Sequence, residues 1–316
     1  MRILVIGAGA VGGYFGGRLA AAGRDVTFLV RAARAEQLRR TGLQIFDPYG
    51  DVSVQPKLLL AEELKARPEA FDLIVVSTKA YSLEAAMEDF APAVGSATVI
   101  LPLLNGMRHL DALDARFGAE HVVGGSTQVV ADLDAEGRVH SMTQLHDFNF
   151  GERDKAVTER IRAIETTLQG AGFDVHLRPD ILATMWQKWT VLASLGAITC
   201  LLRGSIGAIV AAPGGVETAR TILAECVAMA TANGYPPTEA AHTVMTQRLT
   251  EPGSPLTASM YRDLQKGARV EADHILGDLL ERGRKHGVEA PLVRAAYAQL
   301  SVYSAGLATA SAMIKS

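Results

Sequence analysis

One charged side chain, Lys188, interrupts an otherwise uncharged stretch between Asp180 and Arg203. Met185, Trp186, Trp189 and Leu192 lie close to it, so helical spacing puts Lys188 at the edge of an apolar face. A lysine there either snorkels to water or sits in a cleft. In a cleft, burial disfavours the charge and lowers the pKa. Such an ammonium can protonate a developing alkoxide near neutral pH. A partner for its charge could come from residues 256–286, which include Ser259, Asp263, Arg269, Glu271 and Asp273. Periodicity selects none of these carboxylates, and a solvated, salt-bridged face is the ordinary reading of such a run.

The second chemical pattern is Gly7-Ala8-Gly9-Ala10-Val11-Gly12, with G-x-G-x-x-G spacing. It follows an apolar strand-like run and opens a helical pattern, the context in which the spacing implies a dinucleotide. Gly7 allows a tight turn, Gly9 lets the backbone approach a pyrophosphate, and Gly12 permits close packing of helix on strand. The helix N-terminus then offers free N–H groups to phosphate. The alternative is a glycine-rich turn without a ligand.

The next strand bears on which dinucleotide. An NAD site usually ends this strand with Asp or Glu on the ribose 2′-hydroxyl. Here the run 26–30 is followed by Arg31-Ala32-Ala33-Arg34. A guanidinium can grip a 2′-phosphate through two charge-assisted hydrogen bonds, so NADP(H) is expected over NAD. Arg34 reads equally well as a solvated helix residue. Lys79 and Asn105 follow later strand-like runs, where ligands collect in open parallel sheets. Taken singly, Lys79 is a solvated loop lysine and Asn105-Gly106 a turn.

These residues need a scaffold. Apolar runs at 3–6, 26–30, 73–77, 98–101 and 121–123 read as buried parallel strands, with amphipathic stretches at 11–22, 82–93 and 107–117. Such alternation predicts a mostly parallel α/β sheet of Rossmann type, covered on both faces. Residues 43–60 look like a hairpin turning at Asp47-Pro48-Tyr49-Gly50. Residues 125–150 read as a further antiparallel part of the same sheet. After the extended run 173–177, helix signals dominate: 181–195 with Asp180 as N-cap, then 216–233, 237–248, 256–286 and 291–312. The expected division is a dinucleotide-binding α/β domain over residues 1–178 and an all-α domain over 179–316.

The 316 residues are 48% hydrophobic and 21% charged, ordinary for a globular protein. A net charge of −3 gives no reason to expect nucleic acid or an anionic membrane as partner. Residues 3–6 suit a strand better than an export signal, and no apolar run is long enough for a membrane span, so a cytoplasmic protein is expected. Cys200 and Cys226 sit in apolar helical stretches, without metal-ligand spacing, and read as core residues. No metal is expected.

Several spaced pieces together resemble the ketopantoate reductase (2-dehydropantoate 2-reductase) family: the opening Gly7-Ala8-Gly9-Ala10-Val11-Gly12-Gly13, Arg31, Ser77-Thr78-Lys79-Ala80, Leu104-Asn105-Gly106-Met107, Trp186-Gln187-Lys188, and Ser259-Met260 with Asp263 and Glu271 downstream. The resemblance spans nearly the whole chain. It implies NADPH-dependent reduction of a 2-oxo acid to a 2-hydroxy acid, ketopantoate to pantoate in pantothenate biosynthesis. It also implies Lys188 as general acid, Glu271 near cofactor and lysine, Ser259 on the substrate, and Asn105 near both cofactor and substrate. Arg31 and Lys79 would hold the NADP phosphate region, and Ala131 would offer a backbone contact to the cofactor. A homodimer built on the helical domain is implied as well. The chain departs from this pattern where ketopantoate-reducing members carry asparagines four and eight residues beyond the lysine; Leu192 and Gly196 stand there. Other expected asparagines fall near Ser205 or Ile206 and at Leu256. A related dehydrogenase acting on another 2-oxo acid, one that condenses it with an amine included, is therefore an alternative. A non-catalytic NADP sensor is a third.

Overall fold

The computed structural model describes residues 1–315, with side chains through Thr309. The chain divides into two compact units, Met1–Leu104 with His109–Thr184, and Asn105–Arg108 with the chain from Met185 onward.

The first unit runs β1 (Arg2–Ile6), α1 (Ala10–Ala21), β2 (Asp25–Leu29), α2 (Ala32–Thr41), β3 (Leu43–Phe46), β4 (Val52–Val54), β5 (Lys57–Leu59), α3 (Ala61–Ala66), β6 (Leu73–Val76), α4 (Leu83–Phe90), β7 (Val99–Pro102), α5 (Arg108–Phe117), β8 (Gly124–Leu133), β9 (Val139–Gly151), α6 (Glu159–Leu168) and β10 (Asp174–Leu177). One sheet is wholly parallel, ordered β5-β2-β1-β6-β7. β1, β6 and β7 are buried along nearly all their length, which is why they read as unbroken apolar runs.

Residues 125–150 are not part of that sheet. β8 and β9 pair with each other and, through β9, form a second sheet ordered β10-β9-β3-β4. The cause is the hairpin: β3 and β4 turn at Asp47–Gly50 as expected, but β3 pairs parallel with β9, Ile45 opposite Val139. Only β5 returns to the edge of the first sheet. The expected strand at 121–123 is reduced to a single bridge, Ile100 with Val122.

Helix α1 lies between the two sheets. A Cβ at Gly16 would sit 2.7 Å from Phe28, and at Gly17 2.7 Å from Ile45 and 2.9 Å from Leu43. Glycines therefore face both layers and let them close on one helix. Edge-to-face contacts of Phe15 with Phe148 and with Phe173, both at 5.0 Å, fill the remaining space.

The second unit is helical: α7 (Ile181–Leu202), α8 (Ile206–Ala211), α9 (Gly215–Ala232), α10 (Glu239–Leu249), α11 (Ser259–Gln265), a π-helical turn (Asp273–Gly277), α12 (Asp278–Lys285) and α13 (Pro291–Lys315). Ile181–Thr184, the first turn of α7, counts with the first unit. The single helix expected over 256–286 is broken. Gly267 takes φ +67°, ending α11, and the chain re-enters helix through the π turn. Glu225, buried in α9, accepts from the backbone N–H groups of Leu292 and Val293 and so caps α13. Cys200 and Cys226 are buried, and burial pushes both thiols up to about 12. Among the described residues no helix is long and apolar enough to cross a membrane, and no His, Cys, Asp and Glu cluster could hold a metal.

Candidate functional site

The glycine loop lies between β1 and α1. Gly7 takes φ +90°, open to glycine and costly for other residues, and donates to Leu29 O at 3.0 Å. Gly9 is the residue before α1, and a Cβ there would meet nothing within 4 Å. No side chain caps this helix and no acidic residue occupies its first turn. Bare N–H groups beside open space suit an anion. Ala8, Ala10 and Val11 complete the loop. Gly12 is the tightest position: a Cβ would stand 2.1 Å from Ser77 Oγ and 2.4 Å from Gly7 O. Ser77 Oγ itself donates to Ile6 O at 2.9 Å, tying the end of β6 to β1. Next to it, Thr78 Oγ1 is buried with no hydrogen-bond partner among the described residues, and its methyl faces Gly7. An orphaned hydroxyl beside a bare helix end fits a loop built to receive phosphate.

Arg31 is exposed and extended at the residue before α2, so β2 ends before it, at Leu29. Its position leaves the guanidinium available to a ligand. Arg34 is not the solvated residue that one reading allowed. Its half-buried guanidinium donates to Ala8 O through Nη2 (2.9 Å) and Nε (3.2 Å), and to Gln37 Oε1 at 2.6 Å. Arg34 thus fixes a carbonyl of the glycine loop. No local pattern announces this, because the acceptor is a backbone atom on another element. Lys79 is exposed three residues beyond the end of β6, just before a 3-10 turn at Ala80–Ser82. Ala131 is half-buried in β8 at the bulge between Val129 and Ala131, opposite Ser141.

In the helical unit, Lys188 is half-buried on α7, beside buried Trp186 and Trp189. Burial lowers its ammonium from the usual 10.5 to about 8. Trp186 stacks on Tyr235 with centroids 5.3 Å apart. Trp189 donates from Nε1 to Ile275 O in the π turn at 2.9 Å.

That π turn gathers further candidates. Glu271, half-buried, lies just ahead of it, and its carbonyl accepts from Ile275 N at 3.0 Å. His274 is 7% exposed and was not singled out from sequence. Its imidazole donates to the backbone carbonyl of Asn105. Gly106, at φ +81°, is pressed on the same residue: a Cβ there would lie 3.1 Å from His274 O and 3.2 Å from Cδ2. The structure thus brings Asn105, the segment starting at Glu271 and the α7 turn bearing Lys188 into one connected arrangement.

Ser259 is exposed as the first residue of α11. Its neighbour Met260 packs on α7, where a Cβ at Gly196 would be 2.8 Å from the Met260 methyl. Leu192 is half-buried one turn beyond Lys188. Ile206 N donates to Leu256 O at 3.0 Å, and Ser205 caps α8. None of Leu192, Gly196, Ser205, Ile206 and Leu256 carries an amide side chain.

Comparison with known proteins accords with these features. A family model described as Ketopantoate reductase PanE/ApbA matches residues 3–155, and its companion, Ketopantoate reductase PanE/ApbA C terminal, matches residues 180–304. The chain is 39% identical over 305 residues to the uncharacterized oxidoreductase YkpB of Bacillus subtilis, covering 96% of this chain and 99% of that protein. It is 29% identical to a 2-dehydropantoate 2-reductase of Mesorhizobium japonicum, covering 94% and 96% respectively. The crystal structure of 2-dehydropantoate 2-reductase from Geobacter metallireducens superposes with a TM-score of 0.85 at 28% identity, covering 95% of this chain and 99% of that one. The chain belongs to the ketopantoate reductase family, an oxidoreductase family.

Proposed function

We propose that this protein is an NADPH-dependent reductase converting a 2-oxo acid to a 2-hydroxy acid. One observation carries the reading: a half-buried lysine whose burial lowers its pKa to about 8, within reach of neutral pH. A bound NADP(H) would supply the hydride. The chain's own part is to hold and polarise the oxo acid. Lys188 donates to the ketone oxygen and gives up its proton as negative charge develops there, so its stabilisation is greatest in the transition state. Asn105 and Ser259 offer neutral hydrogen bonds to the substrate, and Glu271 sets the charge around the lysine. The loop Gly7–Gly12 would hold the pyrophosphate on bare N–H groups, Arg31 and Lys79 the 2′-phosphate region, and Ala131 a backbone contact.

The basic residue at Arg31, with no carboxylate beside it, supports NADPH over NADH. The Michaelis constant for NADPH should be at least about tenfold lower than for NADH, as expected when a charge-assisted pair is lost. Equal constants, or a preference for NADH, would remove Arg31 from cofactor selection.

The family's name makes ketopantoate the first substrate to try. Leu192 and Gly196 favour a second reading, an oxo acid with a more apolar side chain. Each missing hydrogen bond to a charged or buried group costs roughly 1.5–3 kcal/mol. A screen of NADPH oxidation over 2-oxo acids decides between them. We expect ketopantoate to be turned over poorly and a branched or aromatic 2-oxo acid well. Efficient turnover of ketopantoate sinks the second reading. Cofactor binding without turnover of any oxo acid sinks the reductase itself and leaves a sensor.

A further inference from the structure

The π turn Asp273–Gly277 touches two segments that carry proposed site residues. Helical turns of this kind collect at functional sites because the widened helix re-aims side chains and carbonyls. Ile275 O takes a hydrogen bond from Trp189, the residue after Lys188. His274 gives one to the carbonyl of Asn105 and supports Gly106 on its ring edge and carbonyl. Asp273 is itself held by Tyr297, whose hydroxyl donates at 2.7 Å. The turn therefore has little freedom, and what it holds is held firmly.

We infer that His274 is a positioning residue, which fixes the Asn105–Gly106 turn against the segment that leads from Glu271 into the π turn and, through Trp189, against the turn that carries Lys188. This rests on the reductase reading of the same site. Three features support it. The imidazole is buried, so a lost hydrogen bond there is not replaced cheaply by water. Burial lowers its pKa despite Glu271 and Asp278 nearby, which leaves a neutral ring with one N–H to give. Gly106 lies directly against the histidine, since a Cβ there would stand 3.1 Å from His274 O and 3.2 Å from its Cδ2, so a change in the ring is felt by the turn. Displacement of a substrate-orienting group by about 1 Å can cost up to about a hundredfold in rate.

The test compares His274→Ala with His274→Asn. Both truncate the ring, and only asparagine restores an N–H donor. With saturating NADPH and the best oxo acid of the screen, kcat of H274A should be about tenfold below that of H274N, with the Michaelis constant for NADPH equal in both. Hydrogen exchange of the peptide containing Asn105 and Gly106 should be faster in H274A than in H274N. A purely space-filling histidine makes the two variants alike, and that result overturns the inference. So does H274A turning over at the wild-type rate. Wild-type protein inert toward every oxo acid instead overturns the reductase reading, and the exchange comparison then decides the positioning by itself.

Discussion

Lys188→Ala lowers kcat for oxo-acid reduction by about a hundredfold or more, the range for removing a general acid. The Michaelis constant for NADPH changes little, because Lys188 lies outside the glycine loop. The fold survives, since alanine is the best helix former and the substitution is in the interior of α7. The pH profile carries the sharper signature. Burial places the ammonium near pH 8 instead of 10.5, and the proposed general-acid role requires its protonated form. The kcat of the wild type therefore falls as pH rises through about 8. In the reverse direction the unprotonated amine is needed, so 2-hydroxy acid oxidation rises over the same interval. Lys188→Arg keeps the positive charge but cannot release a proton in this range, and loses the inflection. Stopped-flow measurement across pH 6–10 checks all three, at about the span that brackets both values. A flat profile in the wild type, or near-normal turnover in K188A, removes Lys188 from the chemistry.

Gly12→Ala should be the most damaging single methyl in the first unit. The added carbon would lie 2.4 Å from the backbone oxygen of Gly7, where ordinary contact begins near 3.4 Å. Ser77 could swing aside, but a carbonyl in the tight turn after β1 cannot. Helix and strand must separate, at a cost of about 3 kcal/mol in overpacking. The turn that would receive the pyrophosphate is distorted with them. Urea denaturation of the unliganded protein should show the loss, and NADPH fluorescence titration should show no binding. Gly9→Ala is the control. Its new methyl enters open space, so the unliganded protein keeps its stability. The same methyl stands where backbone and phosphate must approach, and affinity for NADPH drops. If G9A binds normally, the ligand does not use this loop; if G12A is as stable as the wild type, the packing argument is wrong.

Much of this arrangement is legible in the sequence, and the legible parts share a physical cause. β1, the glycine loop and α1 are defined by neighbours along the chain: an apolar run, a positive-φ glycine and a periodic face. Lys188 stands out because twenty-two residues of α7 contain no other charge. What escapes is non-local. The second sheet depends on β3 choosing β9 as its parallel partner, a choice written in no single segment. Arg34 reaches Ala8 O, and His274 reaches Asn105 O; both acceptors are backbone atoms, identical in every residue type. The break in the helix expected over 256–286 hinges on Gly267 taking a left-handed conformation, which a helical pattern tolerates on paper.

The sandwiched helix α1 has a kinetic consequence. Gly12, Gly13, Gly16 and Gly17 together cost it about 3–4 kcal/mol of intrinsic helicity relative to alanine. Alone in water this segment is coil. It becomes helix only when two sheets are present to clasp it, and the second of those needs β3 and β9, far apart in sequence, to have met. The helix end at the glycine loop is therefore expected to be completed late in folding. Substitutions along α1 change the unfolding rate more than the folding rate. A dinucleotide, having nothing to bind in a half-made chain, cannot template assembly; it acts as a brake on escape from the finished state.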